Sequence, residues 1–192
     1  MRAAGAARLA AALPWNSTLT ALDLTGNAIG DIGATHMASA VEKNATLTTL
    51  WLGQNEITHA GAARLAGALA GGHCALESLD LGNNEVGDDG ARCLAQALVH
   101  NTGLSELRLH HNRVSDQGAA KLAQALRVNQ QLRVLWLSGN GIRHAGALCL
   151  GQALRSRLAQ TQQTDEGLVS FTLHGVGLGQ VAQHVCGFLF RG

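Results

Sequence analysis

The sequence predicts an α/β solenoid, with a curved parallel β-sheet on the concave face and α-helices on the convex face. Three observations predict it: a period of 28 or 29 residues, an alternating strand pattern in the first half of each period, and an Ala/Leu-rich helical pattern in the second half. One short strand and one helix cannot bury their own apolar faces, whereas a stack of such units can.

The composition of the 192-residue chain agrees with a repetitive apolar core. Alanine and leucine fill about a third of the positions, whereas aromatic residues make up 3%. This apolar content excludes a disordered chain, and no uncharged apolar run reaches the roughly 18 residues needed to span a membrane. A net charge of +1 gives no electrostatic reason to expect nucleic acid or anionic lipid as a partner.

The first half of each repeat has the pattern Leu-x-x-Leu-x-Leu-x-x-Asn-x-Ile/Val. Its last two leucines alternate with variable residues, which is typical of a short strand with one buried face. The pattern begins at Leu19, Leu47, Leu76, Leu104 and Leu132. The sequence therefore predicts five parallel strands at regular spacing.

The second half of each repeat predicts an amphipathic helix. Each run opens with a Gly-Ala pair and has apolar residues one, four, five and eight positions after the glycine, which form a helical stripe. The pairs lie at 33–34, 61–62, 90–91, 118–119 and 146–147. Asp31, Asp88 and Asp116 precede three of the runs, where a helix N-cap accepts backbone N–H groups. His59 and His144 take this place in repeats two and five, where we expect weaker capping.

These units resemble leucine-rich repeats of the ribonuclease-inhibitor-like class, in which LxxLxLxxN-x-I is followed by GAxxLAxAL. The resemblance covers about Gly5 to Leu154. The units are similar to the repeats of NOD-like receptors, ribonuclease inhibitor and Ran GTPase-activating protein. This resemblance implies a leucine-rich-repeat solenoid with a protein-binding surface. The resemblance assigns the structural consensus positions of the repeats, but it assigns no functional role to any individual residue.

The predicted organisation is a single solenoid over residues 1–192. Residues 1–18 are interpreted as the helix half of a truncated repeat rather than a targeting peptide, because Gly5–Leu13 matches Gly61–Leu69 at eight of nine positions. A start in the middle of a repeat leaves the strand near Leu22 as an uncovered edge. We therefore expect the chain to be a fragment of a longer protein or the product of a truncated gene model.

Residues 19–154 hold the five repeats, and residues 155–192 depart from the pattern. The last helix is predicted to continue to Leu158, followed by a polar loop from Gln160 to Gly167 and a degenerate repeat that starts at Leu168. A final apolar segment then either caps the solenoid or docks onto sequence outside the chain.

Five asparagines recur where the chain leaves each predicted strand. Each is expected to point inward, so that its amide pairs with backbone groups of the adjoining turns. We interpret this ladder as structural rather than catalytic. Its members are Asn27, Asn55, Asn84, Asn112 and Asn140.

No catalytic residue, metal ligand, cofactor site or small-molecule site is predicted. The four cysteines form no C-x-x-C pair and no Cys/His spacing suited to zinc. Unpaired thiols suit a reducing compartment, so a cytoplasmic location is expected. His110 and His111 are adjacent and should face different ways. The chain is therefore not predicted to be an enzyme.

The candidate binding residues lie on the exposed face of the strands. The residue between the second and third leucines points into the concave face. This row reads Asp23, Trp51, Asp80, Arg108, Trp136 and Thr172, and Glu106 and His110 flank Arg108 on its own strand.

Two tryptophans in this row are the main functional signal. Tryptophans on a solvated strand face are typical binding anchors, although their rings could instead lie flat on neighbouring side chains. Asp80 and Arg108 lie on adjacent strands and form either a simple cross-strand pair or part of the recognition surface. The third tryptophan, Trp15, is interpreted as a local packing residue.

The predicted function is a non-catalytic module that binds a protein partner on the concave face. The resemblance implies a cytosolic sensor, scaffold or inhibitor of the NOD-like-receptor or ribonuclease-inhibitor type. An alternative is a GTPase-activating regulator resembling Ran GTPase-activating protein, with Arg113 and Arg143 as candidates on the turns after the strands. A third reading is a solenoid fragment without independent function.

Overall fold

A computed structural model of the protein describes residues 2–161 and 172–174. In this part of the chain, helices and three-residue strands alternate in the predicted order, which confirms the α/β solenoid. The helices are α1 Ala3–Ala12, α2 Gly30–Val41, α3 His59–Ala70, α4 Gly87–His100, α5 Asp116–Leu126 and α6 His144–Thr161. The strands are β1 Ala21–Asp23, β2 Thr49–Trp51, β3 Ser78–Asp80, β4 Glu106–Arg108, β5 Val134–Trp136 and β6 Thr172–His174.

The strands form one parallel sheet in chain order, with β1 at one edge. Each strand pairs in register with the next, so that the middle leucines stand side by side. Leu50, Leu79 and Leu135 are fully buried, whereas Leu22 on the edge strand is half-buried. We number the repeats 1 to 5 from the strand that opens each one, so that repeat 1 is β1 with α2 and repeat 5 is β5 with α6.

The core is a continuous layer of leucine and alanine between the sheet and the helices. In repeat 3, Leu79 and Leu81 of the strand segment and Leu94 and Leu98 of α4 belong to the same core cluster, and all four are fully buried. Burying each such side chain contributes roughly 1.5–3 kcal/mol. The small alanines of the helical stripe let neighbouring helices pack closely, which explains the composition.

The aspartates near the helix starts do not cap their own helices, contrary to the sequence-based prediction. The Asp31 Oδ1 atom lies in the first turn of α2 and accepts hydrogen bonds from the backbone nitrogens of Thr58 and Gly61, at 2.8 and 2.9 Å, at the start of α3. Asp88 caps α5 and Asp116 caps α6 in the same way. These carboxylates reach across the gap between parallel helices, so each one ties two repeats together.

The weaker capping expected in repeats 2 and 5 is therefore wrong as well. Helix α3 begins at His59 but is capped by Asp31 and by the Thr58 hydroxyl, which accepts from the backbone nitrogen of Ala60 at 3.2 Å. Helices α2 and α4 have no side-chain cap among the described residues. Each of them begins instead at a glycine with a left-handed φ, Gly30 or Gly87.

In three of the five Gly-Ala pairs, the glycine makes room for a cross-repeat cap, namely at Gly61, Gly118 and Gly146. A Cβ atom on Gly61 would lie 2.6 Å from the Asp31 Oδ1 atom, and one on Gly118 would lie 2.6 Å from the Asp88 Oδ1 atom. Any side chain at these positions would displace the carboxylate from the helix start. At Gly33 and Gly90, whose helices lack such a cap in the described part of the chain, a Cβ atom would lie 2.5 Å from Ile29 or Val86 of the same repeat, so close packing explains the motif there.

The last helix is longer than predicted, because α6 continues through Gln160 to Thr161 rather than ending at Leu158. The rest of the predicted polar loop and the apolar C-terminal segment lie outside the described residues. Among the described helices, none combines the length and apolar character that a membrane span requires.

Candidate partner-binding surface

The register of the sheet places the predicted concave residues in one row. Asp23, Trp51, Asp80, Arg108 and Trp136 are consecutive neighbours across β1 to β5. On β6 the predicted member Thr172 is wrong, since Thr172 pairs with Val134 and His174 pairs with Trp136. The reason is a two-residue shift, in which Leu173 takes the middle leucine position that the sequence pattern gave to residue 171.

Arg108 is the centre of a polar cluster on this face. Its Nε atom donates to the Glu106 Oε1 atom at 2.8 Å, and its Nη1 atom lies 3.8 Å from the Asp80 Oδ2 atom. The guanidinium carbon also lies 5.5 Å from the centre of the Trp136 ring, within cation–π range. The arginine therefore joins β3, β4 and β5.

Glu106 is held in its charged form by this cluster. Burial would raise the pKa of its carboxyl group, but the hydrogen bond and charge of Arg108 outweigh burial, and Ser78 and Trp136 add to the same effect. The net result is a lowered pKa. The Ser78 hydroxyl donates to the Glu106 Oε2 atom at 3.1 Å, so both carboxylate oxygens are engaged.

The two concave tryptophans are half-buried. They are three strands apart, which corresponds to about 14 Å at the usual strand spacing. Each therefore has part of its ring against neighbouring side chains and part open to a partner. Trp15 is not a local packing residue, because it is 89% exposed on the short 3-10 turn Leu13–Trp15.

The two aspartates of the row support the turns that follow their strands. The Asp23 Oδ1 atom accepts from the backbone nitrogen of Thr25 at 2.8 Å, and the Asp80 Oδ1 atom accepts from that of Gly82 at 2.7 Å. Hydrogen bonds from Thr25 lower the pKa of Asp23. Both carboxylates thus have a structural contact, and on the concave face Asp23 is exposed whereas the Asp80 side chain is 14% exposed.

His110 and His111 face opposite neighbours along the solenoid. The His110 ring lies on Gly82 of the preceding repeat and the His111 ring lies on Gly139 of the following one, each in space that a Cβ atom would fill. The two rings meet edge to face, with centroids 6.0 Å apart. The His110 Nε2 atom is 3.2 Å from the side-chain nitrogen of Asn83.

The asparagine ladder bonds the backbone of adjoining turns. The Asn55 amide nitrogen donates to the carbonyls of Leu24 and Gly53, and its Oδ1 atom accepts from the backbone nitrogens of Asn27 and Ile29. Asn84, Asn112 and Asn140 repeat this arrangement one repeat further each time. Each of these residues satisfies polar backbone groups of two repeats.

A second asparagine row went unrecognised in the sequence. Asn44, Asn101 and Asn129 are buried in the loops that precede β2, β4 and β5. Their side-chain amides donate hydrogen bonds to backbone carbonyls of the preceding repeat. The available signal was their position, since each lies three residues before the first leucine of its repeat. Asn44 also falls in an N-x-T sequon, but its buried and bonded amide leaves no room for a glycan.

A groove of about 480 Å³ runs along the rim formed by the turns after the strands, and we call it the rim groove. Its lining comprises Gln54, Glu56, Asn83, Asn84, Glu85, His111, Arg113 and Gly139. Arg113, a candidate of the GTPase-activating alternative, donates from Nη1 to the Glu85 Oε2 atom at 2.8 Å. The other candidate, Arg143, is exposed directly before α6.

The described residues contain no group of three or more His, Cys, Asp or Glu side chains that could hold a metal ion. Cys74, Cys93 and Cys149 are free thiols. Burial is the main reason for the raised pKa of the Cys74 thiol, which leaves it weakly nucleophilic.

Comparison with known proteins agrees with this architecture. A family model described as Leucine Rich repeat matches residues 16–38, 43–66, 72–95 and 100–123. Among solved structures, leiomodin-1 actin-binding site 2 has 19% identity and a TM-score of 0.67, with 81% of this chain and 91% of that chain covered. The tropomodulin C-terminal domain of Caenorhabditis elegans has 13% identity and a TM-score of 0.64, with 82% and 96% covered. No curated protein matches the chain significantly.

Strand–helix repeats, a single parallel sheet and an asparagine ladder define the class of α/β repeat solenoids. Within it, the chain is a leucine-rich repeat protein, as the sequence predicted. The two solved structures support the fold, and neither is a NOD-like receptor, a ribonuclease inhibitor or a GTPase-activating protein.

Proposed function

We propose that this protein is a non-catalytic recognition module that binds a protein partner on its concave face. The observation that carries the proposal is the pair of half-buried tryptophans, Trp51 and Trp136, on either side of the Arg108 cluster. Binding energy in protein interfaces concentrates on tryptophan and arginine side chains in partly enclosed positions. The hydrogen-bonded partners of Arg108 hold its side chain in place before binding, so less conformational entropy is lost on association.

The partner is expected to combine an apolar surface with groups that match the polar cluster. The concave row places Asp80 and Arg108 between the tryptophans, so the apolar contacts would be about 14 Å apart with a mixed-charge centre. Such alternation favours specificity over non-specific charge attraction. The resemblance to NOD-like-receptor and ribonuclease-inhibitor repeats adds the finer proposal of a sensor, scaffold or inhibitor. Because Cys74, Cys93 and Cys149 are free thiols, we propose a cytosolic location for it.

The test combines partner capture with three tryptophan variants. Proteins captured from a cytosolic extract by the wild type would be compared with those captured by the Trp51→Ala/Trp136→Ala double variant. Trp15→Ala is the matched control, because it removes a more exposed tryptophan away from the concave row. Since the leiomodin-1 structure is titled an actin-binding site, purified actin is a suitable first defined partner.

The expected result is loss of specific capture by the double variant and retention by Trp15→Ala, with circular dichroism showing that both variants are folded. If the folded double variant keeps every partner, the concave-face proposal is wrong. Stimulation of a GTPase by the wild-type protein would support the alternative regulator instead.

A further inference from the structure

The rim groove contains a carboxylate that lacks a counter-charge. Among the described residues, Glu85 is paired with Arg113 at 2.8 Å, whereas no cationic group lies within 4.0 Å of the Glu56 carboxylate. Gln54 and Asn83 add amide groups to the same groove, and His111 also lines it. The groove is thus polar, with a net negative charge when the histidine is neutral.

The backbone that builds this groove is conformationally costly. Gln54, Glu56 and Arg113 have left-handed φ values of 55°, 59° and 60°, and Asn83 and His111 have values of 54° and 52°. A residue with a side chain in this region costs on the order of 1–3 kcal/mol, and Gln, Glu and Arg are seldom found there. Five of the six described non-glycine residues with a left-handed φ line this one groove.

Glycine would be a less strained choice at these turns. Gly26 and Gly139 occupy, in repeats 1 and 5, the position that Gln54 and His111 hold in repeats 2 and 4, directly before the ladder asparagine. The fold therefore accepts glycine there, so the backbone conformation of the turn does not require the long polar side chains of the middle repeats. What they share is contact with the rim groove.

We propose that the rim groove binds an arginine side chain of a protein partner beside Glu56. The chain already contains the arrangement one repeat further along, where Arg113 reaches back to Glu85 of the preceding repeat. Glu56 follows Asn55 as Glu85 follows Asn84, so a guanidinium group between the two carboxylates would continue the same alternation of charges. The planar guanidinium also matches the surrounding amide oxygens of Gln54 and Asn83. This site is separate from the concave tryptophans and does not depend on them.

The probe for this site is the blocked tripeptide acetyl-Gly-Arg-Gly-amide, titrated into the isotopically labelled full chain. NMR signals of the Gln54 and Asn83 side-chain amides report on the groove, and the indole signals of Trp51 and Trp136 report on the concave face. Acetyl-Gly-Glu-Gly-amide is the control for non-specific effects. We expect saturable shifts in the groove with the arginine peptide alone.

Two variants with the same net charge separate local from general electrostatics. Glu56→Gln removes the unpaired carboxylate and keeps the shape of the side chain, and it should weaken binding about two- to fivefold, the size expected for one exposed ion pair. Glu77→Gln removes an exposed carboxylate just before β3, at the end of the strands opposite the rim groove, and should leave binding unchanged.

Three results would overturn the proposal. They are the absence of saturable shifts with the wild type, equal weakening by Glu56→Gln and Glu77→Gln, and shifts confined to the tryptophan indoles. The peptide titration needs no partner protein, so its result does not depend on whether the concave face binds one.

Discussion

The carboxylate of Asp88 caps a helix that belongs to the next repeat, through its contact with Gly118. The Oδ1 atom accepts from the backbone nitrogen of Gly118 at 2.9 Å and from that of Ser115 at 2.7 Å, while the Oδ2 atom accepts from the Ser115 hydroxyl at 2.6 Å. One side chain of α4 therefore satisfies the start of α5, so local capping and repeat stacking are the same interaction.

Asp88→Ala should lower the free energy of unfolding by about 2 kcal/mol, because it leaves the first backbone N–H groups of α5 without an acceptor. Urea denaturation monitored by circular dichroism measures the change. The neighbouring Asp89→Ala is the control, since Asp89 makes only an exposed pair with Arg92 at 3.5 Å and should change stability by less than about 0.5 kcal/mol. Equal effects of the two substitutions would contradict the cross-repeat cap.

The contribution of Asp88 should also depend on pH. Burial would raise the pKa of this carboxyl group, but the hydrogen bonds from Ser115 and Gly118 outweigh it and the folded-state pKa is lowered. The stabilisation is therefore fully present above the unfolded-state pKa near 4 and is lost as the pH falls through the lower folded-state pKa. The stability difference between wild type and Asp88→Ala should shrink below about pH 4, and a constant difference from pH 7 to pH 2 would argue against this charge effect.

Asn55→Ala should destabilise the fold by about 2–3 kcal/mol, because the backbone nitrogens of Asn27 and Ile29 lose their side-chain acceptor and two backbone carbonyls each lose one donor. The comparison is Asn27→Ala at the edge of the ladder. Asn27 is half-buried, and its amide donates to the carbonyls of Leu24 and Thr25. Thermal and urea unfolding of both variants test the difference. A loss at Asn27 as large as that at Asn55 would show that burial does not set the cost.

Glu56→Gly should stabilise the protein by roughly 0.5–1 kcal/mol while weakening binding of the arginine tripeptide, because glycine relieves the left-handed strain and removes the carboxylate. Ala28→Gly is the matched control, since Ala28 has the corresponding place in repeat 1 and a φ of 50° but lies outside the rim groove. It should stabilise without changing binding. Destabilisation by both glycines would mean that these turns hold no relievable strain.

The fold could be predicted because the sequence repeats the signals that specify it. The second and third leucines of repeats 2 to 5, from Leu50 and Leu52 to Leu135 and Leu137, alternate at the period of a strand, and they are buried as the alternation requires. The concave row followed from the same alternation for five strands. It was wrong at Thr172, where the register of β6 is shifted by two residues and no local signal marks such a shift.

The rest of the site depends on contacts between repeats, which a single repeat does not reveal. Asp31 and Gly61 are 30 positions apart in the sequence, so the capping aspartates were assigned to the wrong helices. Left-handed φ values at Gln54 and Glu56 are equally hidden, because neither residue type signals that conformation. Glu106 and Arg108 were recognised as candidates, but their joint contact with Trp136 required the folded geometry.

The junction between repeats 2 and 3 has a mechanical consequence. His59 stands there in place of a capping aspartate, and His73 stands where Asn44 and Asn101 tie the neighbouring loops. Apolar packing between α3 and α4 resists separation but has no fixed direction, whereas hydrogen bonds to defined atoms resist rotation. We expect the solenoid to bend more easily at this joint than at junctions that have both ties, and such bending would change the distance between Trp51 and Trp136.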